Sequence, residues 1–402
     1  MSSPFDAMQS ITPWQEELYL DLHRHPELSM QEDRTRAIIA AKLTELEFET
    51  LEVGGGVVGV MANGEGPTVL FRADFDGLPV REETGLDYAS VATQVDRNGV
   101  EQPTMHACGH DMHVACALGA AALLSGAKDS WQGTYIALFQ PGEEKAEGAA
   151  SMIAAGLTGL IPKPDVAFGQ HVLGSPVSGH VAVKGGPVLS TAASVRVKVF
   201  GHGSHGSMPH LGVDPVVIAA SIVTELQTIV SRELAPGEFG VVTVGALNAG
   251  TSANIIPDSA ELLINTRAYS RATRETILAA IDRIVRAQCV AGRSPKDPEI
   301  EVYDSYPLTS NDDDAARRVF DGLVAHFGPE RVEVMEPATA SEDFSVVPDA
   351  FGTPYVYWGF GGFTADQTVY PNHNPHFAPA MQPTMQTGTE AAAAAALAYL
   401  GK

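Results

Sequence analysis

Between Lys184 and Ser305 the hydrophobic rhythm of the chain changes and then changes back, and this interruption restricts the fold more than any other feature of the sequence. Ahead of it, apolar residues at helical spacing from Trp14 to Glu49, broken by a turn at His25-Pro26-Glu27, predict two opening helices. Short apolar runs closed by turn residues follow (Thr68 to Arg72, Thr134 to Phe139, Val166 to Gly169) and alternate with the helical stretch Ala115 to Leu124. That alternation is the mark of an α/β sheet domain. At Lys184-Gly185-Gly186-Pro187 it breaks. A self-contained series then reads strand (194–200), helix (215–231), strands (240–247 and 260–269), helix (274–291), strand (299–303), which is the ferredoxin-like order. Beyond Ser305 the first pattern resumes with a helix at 315–327, a strand at 354–360 and an Ala-rich C-terminal helix. We therefore expect an α/β fold: a mixed-sheet catalytic domain in two parts, 1–186 and 305–402, with an α+β domain inserted at 187–304. A length of 402 residues, beyond the usual size of one core, agrees with two domains.

Charge excludes some functions. Lys plus Arg number 25 against 49 for Asp plus Glu, a net charge of −24 with no basic run, so a nucleic-acid partner is not expected. An anionic substrate must be met by locally placed Arg, His or metal. Three scattered cysteines, Cys108, Cys116 and Cys289, make no disulfide framework. The N-terminus lacks a basic segment followed by an apolar core, and the most apolar tracts, 216–223 and 390–400, fall short of the ~20 residues of a membrane span. The expectation is a cytoplasmic protein with no membrane partner.

The chemistry concentrates in a few short segments. Met105-His106-Ala107-Cys108-Gly109-His110-Asp111-Met112-His113 places three His and one Cys directly before an apolar helix. A helix start favours a thiolate, and a thiolate beside imidazoles suits zinc or a related transition metal; the competing reading is an inert Cys among helix-capping neighbours. The strand at 134–139 ends in Gln140-Pro141-Gly142-Glu143-Glu144, the strand at 165–169 ends in Gln170-His171, and the strand at 354–360 leads to Asn372-His373-Asn374-Pro375-His376. Four segments that each deliver a ligand-type residue beyond a strand or at a helix start are hard to attribute to chance. Two closely spaced metals can polarise a carbonyl and generate hydroxide at neutral pH. Of the paired carboxylates one can bind metal while the other accepts a proton, which makes Glu143 the candidate base. In the inserted domain, His205 lies in a Gly- and His-rich turn (201–210), and Asn254 with Arg267 would suit a carboxylate; the alternative is a surface turn and an Arg in an ordinary ion pair.

Taken in order, Asp21-Leu22-His23-Arg24-His25-Pro26-Glu27, Phe71-Arg72-Ala73-Asp74-Phe75-Asp76-Gly77-Leu78-Pro79, the Cys-Gly-His cluster, Pro-Gly-Glu-Glu, Ser204-His205-Gly206-Ser207, Asn254-Ile255-Ile256-Pro257 and Ser341-Glu342-Asp343-Phe344 resemble the amidohydrolase branch of the two-metal aminoacylase and carboxypeptidase family. That branch includes N-acyl-amino-acid amidohydrolases, hippurate hydrolases and auxin-conjugate hydrolases. The resemblance implies metal-dependent hydrolysis of the amide bond of N-acyl-L-amino acids. It implies two divalent ions, zinc foremost with manganese, cobalt or nickel also compatible, held by Cys108, His110, Glu144, His171 and His373, with Cys108 bridging. It further implies Glu143 as acid and base, His205 as oxyanion stabiliser acting in its own or a partner subunit, and Asn254 and Arg267 as holders of the substrate carboxylate. The inserted domain would serve as a lid and as the contact of a homodimer. His23, His25, Asp74 and Asp76 are assigned to supporting duties.

Two departures stand out. Lys145 replaces the glycine usual in that branch, so its ammonium either pairs with a neighbouring Glu or narrows the entrance, and the last motif ends in His376, a rival ligand to His373. The alternatives carried forward are a metallo-dipeptidase or carboxypeptidase and a catalytically silent binding protein for acylated amino acids.

Overall fold

A computed structural model describes residues 4–402; Met1, Ser2 and Ser3, where the N-terminal reading and the first expected domain begin, lie outside the described residues. Two compact units emerge. The first comprises Met1–Val188, Ser310–Glu336 and Asp343–Lys402, and the second Leu189–Thr309 with Pro337–Glu342.

The first unit is built on an eight-stranded mixed sheet in the order Glu49–Val53, Gly56–Asn63, Gly133–Gln140, Thr68–Asp74, Val166–Val177, Tyr355–Phe363, Val181–Val183, Val332–Val334. Its central strands, 133–140, 68–74, 166–177 and 355–363, run parallel to one another. Strands covered on both faces read as unbroken apolar runs, as Val69-Leu70-Phe71 and Ile136-Ala137-Leu138-Phe139 do, all of them buried. The helices Met8–Arg24, His110–Gly126 and Thr384–Leu400 pack in the core with this sheet. Helix 110–126 is buried on nearly every side and from Val114 onward is correspondingly built of Ala, Leu, Val and Gly apart from Cys116 and Ser125, with Gly119 letting Gln15 approach: a Cβ there would lie 2.1 Å from Gln15 Nε2.

The hairpin of strands 49–53 and 56–63 departs from the expected helical stretch to Glu49, since the second helix ends at Glu45. Gly54 and Gly55, with φ of 59° and 89°, make the turn that only residues tolerant of the left-handed region can make. At Gly54 a side chain would also meet the Met152 backbone at 2.5 Å.

The second unit runs Thr191–Phe200 (strand), Pro215–Thr228 (helix), Gly240–Ala249 and Ser259–Ala268 (strands), Arg271–Ala291 (helix) and Glu299–Tyr306 (strand). These four strands form an antiparallel sheet in which strand 259–268 lies between 240–249 and 191–200, and 299–306 pairs on the far side of 191–200. Strand 259–268 alternates strictly between buried and half-buried residues, so one face is packed by the two helices around Ile222, Leu226, Ile277 and Ile281. Helix 215–228 is capped by the Asp214 carboxylate and continues through a π turn to Glu233. Its length, 19 residues, and mean hydropathy of 1.2 reach the range of a membrane span by composition, more than the sequence pattern suggested. One face, with Ile218, Ile222, Leu226 and Ile229, is buried in the core of this unit, while Val216, Val217 and Val230 are exposed.

Candidate metal centre

The carboxyl ends of the parallel strands of the first unit bring the ligand-type residues together. The chain reaches Cys108 from the buried segment 104–107, turns at Gly109 (φ 81°) and enters the helix at His110. A Cβ on Gly109 would fall 2.4 Å from Val172 Cγ1, so glycine is the residue that lets this turn press against strand 166–177. That strand runs on through Gln170 and His171 instead of ending before them, which places His171 within the sheet. Glu143 and Glu144 sit in a single 3-10 turn after strand 133–140, entered through Gly142 at φ 57°. His373 also has a positive φ, 70°, rare for a residue with a side chain, and its N–H is tied to Ala107 O at 2.8 Å.

Two sets of ligand atoms result, each within 4.8 Å of one another: Cys108, His110 and His171, and Cys108, Glu144 and His373. Cys108 belongs to both, so its sulfur is placed where two candidate cation positions could share it. Cys108 Sγ lies 3.4 Å from His171 Nε2, and His373 Nε2 lies 3.1 Å from Glu144 Oε1. Glu143, buried, falls in a further group with His110 and Glu144. His376 belongs to none of these sets. Its Nδ1 bonds Glu83 O at 2.7 Å, at the surface.

The chemistry of these donors fits cations. Burial and the carboxylates of Glu144, Glu143 and Asp74 push the Cys108 thiol well above its ordinary range, so a thiolate here needs positive charge beside it. Burial and the neighbouring His113 push His171 well below the usual imidazole range, and its Nδ1 bonds Val172 O at 2.8 Å, leaving the Nε2 lone pair to donate. Burial opposes a charge on His110, but Asp74 and Asp76 outweigh it and lift that group to about 10: the pocket draws a positive charge, proton or metal, to this ring. Its Nε2 is buried with no hydrogen-bond partner among the described residues.

One carboxylate organises the set. Asp76 Oδ1 accepts from His110 Nδ1 and from the backbone N–H of Glu143, both at 3.1 Å; Oδ2 accepts from the N–H of Glu144 at 3.1 Å and from Ser29 Oγ at 2.7 Å. Asp76 thereby orients a ligand imidazole and fixes the Glu143-Glu144 turn. Asp74 serves His113 in the same way: His113 Nδ1–H donates to Asp74, while Nε2 accepts from Val172 N at 2.9 Å. Arg72, buried in the sheet, donates to Asp74 at 2.6 Å, Gln140 at 2.9 Å and Asp343 at 3.2 Å, balancing the buried acids beneath the site. His23 bonds Asp111 at 2.7 Å and Glu82 at 3.2 Å, away from these ligands, and His25 lies at the surface. His106 is buried neutral, burial holding it at about 4.

Sequence reasoning overlooked two supports. Glu32 Oε1 accepts from Gly142 N at 2.9 Å and from Met30 N at 2.8 Å, holding the entry to the carboxylate turn. Asn372 Nδ2 lies 3.6 Å from Cys108 Sγ. Glu32 carries no local signal, because its partner stands 110 positions away; Asn372, next to His373, was legible in principle. Lys145, expected either to pair with a Glu or to narrow the entrance, is exposed and makes no ion pair among the described residues.

In the second unit, the short strand Ser204–His205 pairs with Ile255–Ile256, and Gly206 N bonds Asn254 O at 2.7 Å, so His205 and Asn254 share one ribbon. His205 Nδ1 accepts from Ser207 N at 3.2 Å and contacts Ser207 Oγ at 2.7 Å, which leaves the Nε2–H outward as a donor. Arg267 is half-buried on strand 259–268, donating to Asn265 at 3.0 Å and to Ser341 at 2.6 Å.

Comparison with known proteins agrees with this arrangement. The profile described as Peptidase family M20/M25/M40 matches residues 70–398. An N-acetyl-L-cysteine deacetylase of Bacillus subtilis is 34% identical over 366 residues, spanning 87% of this chain and 82% of that protein. The thermostable carboxypeptidase 2 of Saccharolobus solfataricus is also 34% identical, over 92% of this chain and 91% of its own length. Among solved structures, a dinuclear metal-binding peptidase of Bacillus subtilis superposes with a TM-score of 0.78 at 26% identity, covering 97% of this chain and 99% of that one.

Proposed function

This chain belongs to peptidase family M20/M25/M40, and from that premise we propose that it hydrolyses the amide bond of N-acyl-L-amino acids, releasing a carboxylic acid and a free amino acid. The observation that carries the reading is the convergence of Cys108, His110, Glu144, His171 and His373 on a shared thiol, with the buried Glu143 carboxylate beside them. Two divalent ions, zinc foremost, would be held by those five side chains. When bound they would polarise the scissile carbonyl and acidify water.

Glu143 accepts the proton of the attacking water and returns it to the leaving nitrogen, the two halves of general acid–base catalysis. Its backbone N–H is anchored on Asp76, so the carboxylate is aimed by the same residue that orients His110. Asn254 and Arg267 hold the substrate carboxylate, and the Nε2–H of His205 donates to the oxygen that becomes negative as the carbonyl turns tetrahedral. These three roles rest on the motif match and on the donor geometry within the second unit. That unit acts as lid and dimer contact in this reading; Val217, 61% exposed on its helix, and the edge strand 240–249 offer it a surface for a second copy. A cytoplasmic location completes the proposal.

The carboxypeptidase among the relatives keeps peptide hydrolysis as a second reading. Metal-stripped and metal-restored protein, offered N-acetyl, N-benzoyl and N-lauroyl amino acids alongside dipeptides, separates the two. Metal-dependent release of amino acid from the acylated compounds supports the proposal. Cleavage of dipeptides alone assigns a peptidase, and metal binding without turnover of either set assigns a binding protein.

A further inference from the structure

Beside the metal centre, wholly within the first unit, lies a cavity of about 620 Å³ whose lining includes Glu144, Lys145, Glu147, Asp96 and Arg97. Leu28, Leu78 and Pro79 supply apolar wall, and the volume falls in the range of small-molecule pockets. Most of its charge is already spent. Arg97 and Glu147 form a two-bond ion pair at 2.8 and 3.0 Å. Asp96 accepts from the backbone of Asn98 and Val100, both at 2.9 Å, and from Gln102 at 3.2 Å. Glu144 faces His373 and His110 in the ligand set. Lys145 is different: among the described residues its ammonium has no ion pair or hydrogen bond.

The geometry points to this cavity as the pocket for the acyl half of the substrate, with Lys145 as a specificity-determining residue that selects acyl groups ending in a second carboxylate, of succinyl or glutaryl length. The inference rests on the proposed hydrolysis of N-acyl amino acids, in which the α-carboxylate is assigned to Asn254 and Arg267 and the acyl chain is the half left to the first unit. Glu144 and Lys145 both line the cavity, so an acyl chain that enters it from a carbonyl held beside Glu144 can meet the ammonium. An uncommitted cation in a protein of net charge −24 is a local attractor that the surrounding field does not supply.

The test compares N-succinyl-L-leucine with N-butyryl-L-leucine, equal in acyl carbons and differing in the terminal carboxylate, using metal-loaded wild type and Lys145→Met. The ratio of kcat/KM, succinyl over butyryl, should exceed one in the wild type and fall about fivefold in the variant, the size of a partly exposed ion pair. Lys145→Glu should push it below one. A ratio unchanged in both variants, with either substrate turned over, overturns the inference while leaving the amide hydrolysis intact. Preference for dipeptides with a free amine also overturns it. Equilibrium binding of succinate against butyrate to the same three proteins reads the pocket without turnover, so failure of the proposed reaction is separable: loss of succinate affinity in Lys145→Met supports the pocket even then, and equal affinity refutes it.

Discussion

Replacing Asp76 by Asn changes one atom of a buried carboxylate and nothing of its shape. The native oxygens face four donors: His110 Nδ1 and Glu143 N on one, Glu144 N and Ser29 Oγ on the other. An amide offers an acceptor to only one pair. Whichever way it turns, its own NH₂ confronts the other pair, so either the ring of His110 and the N–H of Glu143 or the N–H of Glu144 loses its partner. Ser29 alone can rotate its hydroxyl to adapt. Hydrogen bonds to a charged acceptor contribute about 1.5–3 kcal/mol each and an orphaned buried donor costs about 1–3 kcal/mol, so the metal-free protein should lose roughly 3–5 kcal/mol in urea unfolding. Loss of such an orienting partner typically weakens metal affinity by about 10–100-fold, which a competitive chelator titration reads directly. Turnover should fall as well, because Glu143 is aimed through the same carboxylate. Ser29→Ala, which removes one of the four donors and no ligand orientation, should cost about 1.5–3 kcal/mol, less than Asp76→Asn, and leave metal affinity near that of the wild type. An Asp76→Asn protein that holds metal within twofold of wild type and unfolds at the same urea concentration would refute the reasoning.

Further outcomes follow from other contacts. Glu143→Gln should retain its metal while losing about 10²–10⁴-fold in turnover, and wild-type rates in that variant remove Glu143 as the base. Burial opposes a charge on His23, but its hydrogen bonds to Asp111 and Glu82 prevail and raise it to about 9. Because the folded value lies above the unfolded one of 6.5, the stabilisation, roughly 3 kcal/mol, is complete below pH 6.5 and fades as pH rises through 9. Urea midpoints of wild type and His23→Gln should therefore converge between pH 6 and about 10, and a constant gap would show that His23 is not the group involved. Gly109→Ala forces a left-handed turn on a side chain 2.4 Å from Val172 Cγ1 and should cost at least about 1–3 kcal/mol with weakened metal binding; an unchanged melting temperature would contradict the packing described.

The sequence was most readable where one local rule decides the outcome. Apolar runs with turn residues marked the central strands, and glycine and proline marked the break at Lys184. The hairpin 49–63 was missed because helical spacing before it was carried too far, although Gly54-Gly55-Gly56 announced a turn. Of the candidate site, Cys108, His110, Glu143 and Glu144 stood out as candidates from type and spacing in dense motifs, while the ligand set came only with the family resemblance. His171 was found as a residue after a strand, whereas it lies within one, because nothing local says how far a parallel strand extends once its neighbours supply the bonds. His373 was already preferred to His376 in the sequence, and the backbone gives the physical reason: the left-handed φ at His373 and its bond to Ala107 accompany a ring 3.1 Å from Glu144, while the ring of His376 is tied to Glu83 O instead. Glu32 depends on a partner 110 positions away and was beyond any local rule.

The interior position of strand 355–363, between 166–177 and 181–183, bears on the order in which the chain is made. Four of the five proposed donors leave the ribosome early, but the strand that closes the sheet beside His171, and then His373 itself, emerge only after the whole second unit. A nascent chain halted before them has an open strand edge at 166–177 and a donor set that lacks its last imidazole. Long-range pairing of this kind is slow and leaves exposed edges open to wrong partners in the meantime. On the proposed ligand set, metal that met this chain before translation had passed His373 would therefore find only part of the site, which would become complete only as the sheet does.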